Sequence, residues 1–167
     1  MENVVLIGFM GTGKTVVARR LSKLLNKKFI DTDLEIERVT GMTANQIVKK
    51  YGSVRFHSEE SLALKRILNS NNLIISTGYD IVQNKENLDL IKKNGKVVCL
   101  TATPEKVKER IEKRDHRPLM KSDKSLEKVK EMLNENEKYY SEAEVIVDTT
   151  NLSVDEVVNY IYRKLSN

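Results

Sequence analysis

Five short apolar runs recur along the 167-residue chain: "VVLIGF", "KKFID", "NLIIST", "KVVCLT" and "EVIVDT". Apart from the charged "KKFID", their apolar residues are consecutive rather than alternating, as in strands covered on both faces. The stretches between them carry helical spacing, and several have start signals. Thr43 with Gln46 fits a capping box ahead of "QIVKKYG". Thr103 followed by Pro104 fits an N-cap and first helical position ahead of "EKVKERIEKR", and Ser153 with Glu156 fits a second box before the last helix. Strands alternating with helices predict an α/β fold in three layers, a parallel sheet between helices. The length suits one domain over residues 1–167, with no repeat, low-complexity tract or linker to divide it. The polar segment 115–125, "DHRPLMKSDKS", joins two helical runs and would suit a loop over a site.

Charge and composition narrow the classes. The net charge is +5 and the isoelectric point about 9.2. The lysines interleave with glutamates in "EKVKERIEKRD" and "SLEKVKEMLNENEK", which reads as solvated helix faces and not as a nucleic-acid groove. Tryptophan is absent and other aromatics are few, against a base-stacking platform. The single cysteine, Cys99, excludes an internal disulfide and sits in an apolar run as a core residue would. No run approaches a membrane span, and the apolar start has no basic leader before it. The expectation is a soluble, cytoplasmic monomer with no nucleic-acid or membrane partner.

The chemistry starts at "GFMGTGKT", Gly8 to Thr15, which matches G-x-x-x-x-G-K-[ST] between a strand and a helix. Glycines there let backbone N–H groups turn onto phosphate oxygens, and the helix start adds its positive end. Gly8, Gly11, Thr12, Gly13, Lys14, Thr15 and the following Val16 are the expected contacts to ATP, with Lys14 on the β- and γ-phosphates and Thr15 on Mg²⁺. At the end of the second strand, in "FIDTDLEIE", two carboxylates stand two apart. Asp31 could hold the magnesium through water and Asp33 take the proton of an attacking hydroxyl; alternatively the pair is a solvated turn with a helix N-cap.

With these in place the chain resembles the shikimate kinase family nearly end to end. The likeness runs through "GFMGTGKT", "FIDTDLEIE", "TGMTANQIVKKYG", "ISTG", "RDHRPLM" and "YYSEAEVIVDT". The resemblance implies a P-loop kinase with a five-stranded parallel sheet, an acceptor-binding helical region at about 33–62 and a lid at about 115–125. It implies transfer of the ATP γ-phosphate to the 3-hydroxyl of shikimate. It gives Asp33 to the acceptor hydroxyl and makes Arg117 the lid arginine on the transferring phosphate. Arg110 would flank the adenine, with the turn at Thr150 and Asn151 beside the base.

The chain departs from the family's pattern in one region. His57, in "SVRFHSEE", stands where the family has an arginine. After Gly78, Tyr79 and Asp80 replace two glycines, and Glu135 occupies a second arginine's place. Those arginines would grip a carboxylate, and an imidazole and two acids would not. Arg55 could swing in for the missing one, though its spacing points it to another helix face. Tyr79 could be a turn residue and Glu135 a solvated helix charge. With Asp33, His57, Gly78, Tyr79, Asp80 and Glu135 lining the pocket, the expected acceptor is a neutral or amine-bearing alcohol. The alternatives are a true shikimate kinase, and a nucleotide-binding regulatory module with a vestigial acceptor site.

Overall fold

The computed structural model describes residues 2–113 and 125–166. Five parallel strands form one sheet in the order β2-β3-β1-β4-β5. They are β1 Asn3–Gly8, β2 Lys28–Asp31, β3 Leu73–Ser76, β4 Gly95–Thr101 and β5 Val145–Asp148. The five apolar runs of the sequence are these strands. Helix α1 (Lys14–Leu24) leads from β1 to β2. Helices α2 (Thr32–Thr40), α3 (Ala44–Tyr51) and α4 (Ser53–Leu68) lie between β2 and β3. Helix α5 (Lys85–Asn94) precedes β4, α6 (Pro104–Lys113) and α7 (Leu126–Tyr140) precede β5, and α8 (Val154–Ser166) follows it.

Alternation along β1 divides the core in two. Val4 and Leu6 pack with Val17, Leu21, Val157 and Ile161 from α1 and α8. Val5 and Ile7 face the other way, onto Leu64, Ile67, Leu88, Ile91 and Val107 from α4, α5 and α6. Both faces of β1 are therefore covered, which is why its sequence is apolar throughout. A smaller cluster, Ile36, Ile47, Phe56 and Ala63, binds α2, α3 and α4 into a cap over the β2 side. Cys99 lies in the core with no exposed surface.

The helix starts follow the chemistry read from the sequence. Thr43 and Gln46 exchange both bonds of a capping box, as do Ser153 and Glu156. The Thr103 hydroxyl accepts from the Lys106 amide at 3.3 Å. Lysines of α6 and α7 pair with glutamates three or four residues away, Lys113 with Glu109 and Lys128 with Glu131 among them. From β1 the chain first builds the β2–β3 side and then crosses to β4 and β5. The sheet order thus reverses about β1, and the crevice for ligands opens beyond the carboxyl ends of the strands there.

Candidate active site

The loop after β1 is held by its own polar groups. Gly8 is a requirement of packing: a Cβ there would stand 2.3 Å from the Leu100 carbonyl oxygen of β4, and its φ is +138°. The Thr12 hydroxyl donates to the Phe9 carbonyl at 2.7 Å. Lys14 is buried, and its Nζ donates to the carbonyls of Gly8 (2.7 Å) and Phe9 (2.8 Å). The ammonium is thereby fixed at the mouth of the loop, beside the N-terminus of α1.

On one side of the loop lies a cleft of about 160 Å³ lined by Gly11, Thr12, Gly13, Val16, Arg110 and Thr149, among others. Arg110 closes it. Its guanidinium donates to the Gly11 carbonyl (3.2 Å), the Thr149 hydroxyl (2.9 Å) and the Thr149 carbonyl (3.0 Å). No motif marks Thr149, because its role depends on β5 meeting α6. Thr150 is turned differently: its hydroxyl accepts from the Thr103 amide at 3.0 Å, and Asn151 beside it is exposed.

On the other side, Asp31 does two things. Its Oδ1 accepts from the amides of Asp33 (2.9 Å) and Leu34 (3.3 Å), capping α2, and its Oδ2 accepts from the Thr15 hydroxyl at 3.2 Å. The helix-cap reading and the metal-site reading of Asp31 are compatible. Ser76, at the end of β3, lies 3.4 Å from the Thr15 hydroxyl and is a further polar group at this spot.

Beyond them α2, α4 and the turn after β3 meet at Gly78, whose amide donates to the Thr32 hydroxyl at 3.2 Å. A Cβ on Gly78 would lie 2.8 Å from Glu60 Oε1, 3.5 Å from Asp33 Oδ1 and 3.8 Å from Asp80 Oδ1. Three carboxylates therefore border one small space. His57 partners two of them: its Nδ1 is 2.9 Å from Glu60 Oε2 and 3.7 Å from Asp80 Oδ2. Burial lifts the Glu60 carboxyl to about 8 against the pull of its bond to His57, and Asp80 and Asp33 push the same way. Burial also raises Asp80, with the His57 charge opposing. The bond to Glu60 raises His57 in turn, with burial opposing. Glu60 is not among the pocket residues expected from the sequence, since a glutamate inside a helix carries no signal of burial.

Other expected pocket residues stand elsewhere. Tyr79 does not cover the space at Gly78: its ring meets Phe9 edge-on at 5.3 Å within the core cluster, and its carbonyl accepts from the Tyr140 hydroxyl. Glu135 is exposed on α7, outside the His57–Glu60–Asp80 group; burial raises the Tyr79 phenol, and the charges of Asp80, Glu60 and Glu135 add to it. Arg55 pairs with Glu59 at 3.0 Å and lies over the Tyr51 ring, so it is committed to another face of α4. Arg117 and all of the expected lid except Ser125, which caps α7, fall outside the described residues.

With this geometry established, comparison with known proteins is direct. The family model described as "Shikimate kinase" matches residues 10–166. A shikimate kinase of Pelotomaculum thermopropionicum is 48% identical over 96% of this chain and 94% of its own length. A shikimate kinase of Acinetobacter baumannii, solved in complex with shikimate, superposes with a TM-score of 0.94 at 30% identity, covering 99% of this chain and 93% of that one. A shikimate kinase structure from Aquifex aeolicus gives a TM-score of 0.84 at 33% identity over 98% and 96% of the two chains.

Proposed function

The chain belongs to the shikimate kinase family, and from that premise we propose that it transfers the γ-phosphate of ATP to a hydroxyl of shikimate. At the coarser level it is a shikimate kinase-like, ATP-dependent kinase. The observation that carries the proposal is the meeting of the phosphate loop with Asp33 of α2 and the Gly78 turn beyond the carboxyl ends of β1, β2 and β3. An ATP phosphate chain on the loop and an alcohol at the turn would be neighbours there.

The roles follow from the side chains. Lys14 supplies a fixed cation to the β- and γ-phosphates, where charge develops. Asp33, half-buried beside the space at Gly78, takes the hydroxyl proton. Arg110 and the Thr149–Asn151 turn flank the base. Arg117 meets the transferring phosphate. Thr15 and Asp31 fit Mg²⁺: their oxygens are 3.2 Å apart, near the roughly 3.0 Å that neighbouring ligands of an octahedral ion with ~2.1 Å bonds would show. When bound, the ion neutralises phosphate charge.

Two observations bear on the acceptor. The relatives weigh toward shikimate, more than toward the neutral or amine-bearing alcohol expected from the sequence. The second reading keeps that other acceptor, on the observation that Asp33, Glu60 and Asp80 converge at Gly78. An ammonium or a set of hydroxyls would give those carboxylates donors. The proposal further takes the enzyme to be a cytoplasmic monomer; no helix among the described residues is long and apolar enough to cross a membrane. The test is phosphoryl transfer from ATP to shikimate, run beside amino alcohols, amino sugars and polyols, with products identified by mass. Phosphorylated shikimate supports the proposal. Product only from the second panel moves the assignment to the second reading. ATP binding with no product from either points to a nucleotide-binding module without turnover.

A further inference from the structure

His57, Glu60 and Asp80 are gathered from two elements. His57 and Glu60 lie three apart on α4 and so share a face, and Asp80 comes from the turn after β3. We propose that these three side chains form a site for a divalent transition-metal cation, with Zn²⁺ the best match, separate from the Mg²⁺ that accompanies ATP. One donor atom from each side chain can be chosen so that all lie within 4.8 Å of one another. The Nδ1 of His57 is 2.9 Å from Glu60 Oε2 and 3.7 Å from Asp80 Oδ2. Ligands bound at about 2.1 Å to one ion stand about 3.0 Å apart at right angles and about 3.4 Å apart at tetrahedral angles. The observed separations bracket that range, so small side-chain adjustments bring the donors onto one centre.

A second observation points to a missing partner. The Glu60 side chain is 2% exposed, and its Oε1 is buried without a hydrogen-bond partner. That oxygen is directed at the space beside Gly78, where Asp80 Oδ1 also lies. A buried carboxylate oxygen left without a donor is costly, and a cation shared with Asp80 supplies what it lacks. The chemistry of the set selects the ion. One imidazole with two carboxylates suits zinc and its first-row neighbours better than calcium or magnesium, which favour all-oxygen sites.

The site is reachable. The His57 side chain is 48% exposed, and a cavity of about 390 Å³ over the cluster is also lined by Ser61, Gln83 and Asn84. Three protein ligands leave coordination positions open, and these face the cavity. They would take water or the oxygens of a chelating ligand, a carboxylate or adjacent hydroxyls. In the loaded site two ionised carboxylates and a neutral imidazole carry −2, which the dication brings to zero, so no net negative charge stands beside an anionic acceptor. The inference concerns the pocket of the proposed reaction, but it rests on the three donors and not on the identity of the acceptor.

The experiment uses the full chain, stripped with EDTA and free of nucleotide, titrated with CoCl₂ and followed by visible d–d absorption, then with ZnCl₂ in a calorimeter. One equivalent of each metal is expected to bind. His57→Gln and Asp80→Asn should each weaken binding by ~100-fold or more, beyond the 10–100-fold typical of losing an outer-sphere partner. Thr15→Ala, at the nucleotide's ion, should leave cobalt binding unchanged. Circular dichroism shows that all three variants are folded, and a melting shift with Mg·ATP shows it again for His57→Gln and Asp80→Asn. Absence of a cobalt spectrum and of zinc heat in the wild type would overturn the proposal and leave a proton-sharing network. So would a spectrum that survives in both variants. Because no phosphoryl transfer is measured, this result is independent of which acceptor, if any, the enzyme uses.

Discussion

Gly78→Ala is the sharpest single perturbation of the acceptor side. The new methyl would stand 2.8 Å from Glu60 Oε1. Reaching ordinary contact at 3.4 Å requires a displacement of 0.6 Å, the difference of the two distances. Glu60 has little room to move, since it is buried and its other oxygen is 2.9 Å from His57 Nδ1. A shift of that size along the bond would stretch it to roughly 3.5 Å, the limit of a useful hydrogen bond. Overpacking of this kind costs about 1–3 kcal/mol, or roughly 2–12 °C in Tm for a chain of this size. The methyl would also lie 3.5 Å from Asp33 Oδ1, in the space assigned to the acceptor hydroxyl. Displacing the acceptor by about 1 Å costs on the order of 100-fold in rate. The assay pairs thermal melting with coupled ADP release, varying ATP and acceptor separately. The expected variant melts lower, binds Mg·ATP normally and loses acceptor kcat/KM. Wild-type melting together with wild-type acceptor kinetics would refute both the packing argument and the placement of the acceptor.

Asp33→Asn removes the proposed base and should lower kcat by ~100-fold or more, with the KM for ATP unchanged; full activity would remove Asp33 from the chemistry. Arg110→Ala deletes three hydrogen bonds joining Gly11 to Thr149, and should raise the KM for ATP by ~10-fold, the scale of one charge-assisted bond, while the acceptor KM holds; the reverse pattern would contradict the assignment of that cleft to the base. Burial pushes the Cys99 thiol up to about 12, so at pH 8 the folded protein should resist thiol reagents, and labelling should track unfolding in denaturant. Fast labelling of native protein would show the core around β4 to be open.

The fold was legible because its signals are local. Continuous apolar runs gave the five strands, and the boxes at Thr43 and Ser153 gave helix starts. The phosphate loop was legible for the same reason, and Asp31 and Asp33 followed from their place at a strand end. The acceptor side depends on contacts between distant residues. Periodicity could not show that Glu60 is buried, or that Asp80 would come within 3.7 Å of a histidine 23 positions earlier in the chain. The expectation that Tyr79 lines the pocket follows from its turn alone, which carries no sign of the neighbouring core. Phe9 and Tyr140 claim its ring and carbonyl. Glu135 followed only from an alignment, and the helix turns it to solvent. Arg117 lies outside the described residues, so its role rests on the family resemblance.

The central claim is that this chain phosphorylates shikimate. Steady-state ADP release by the wild-type enzyme, with saturating Mg·ATP and increasing shikimate, with and without one equivalent of Zn²⁺, addresses it most directly. The account predicts saturable, shikimate-dependent turnover with kcat/KM of ~10⁴ M⁻¹s⁻¹ or above, the ordinary range for an enzyme on its own substrate. ADP release that shikimate does not stimulate under either condition, from protein that Mg·ATP stabilises against heat, would contradict it.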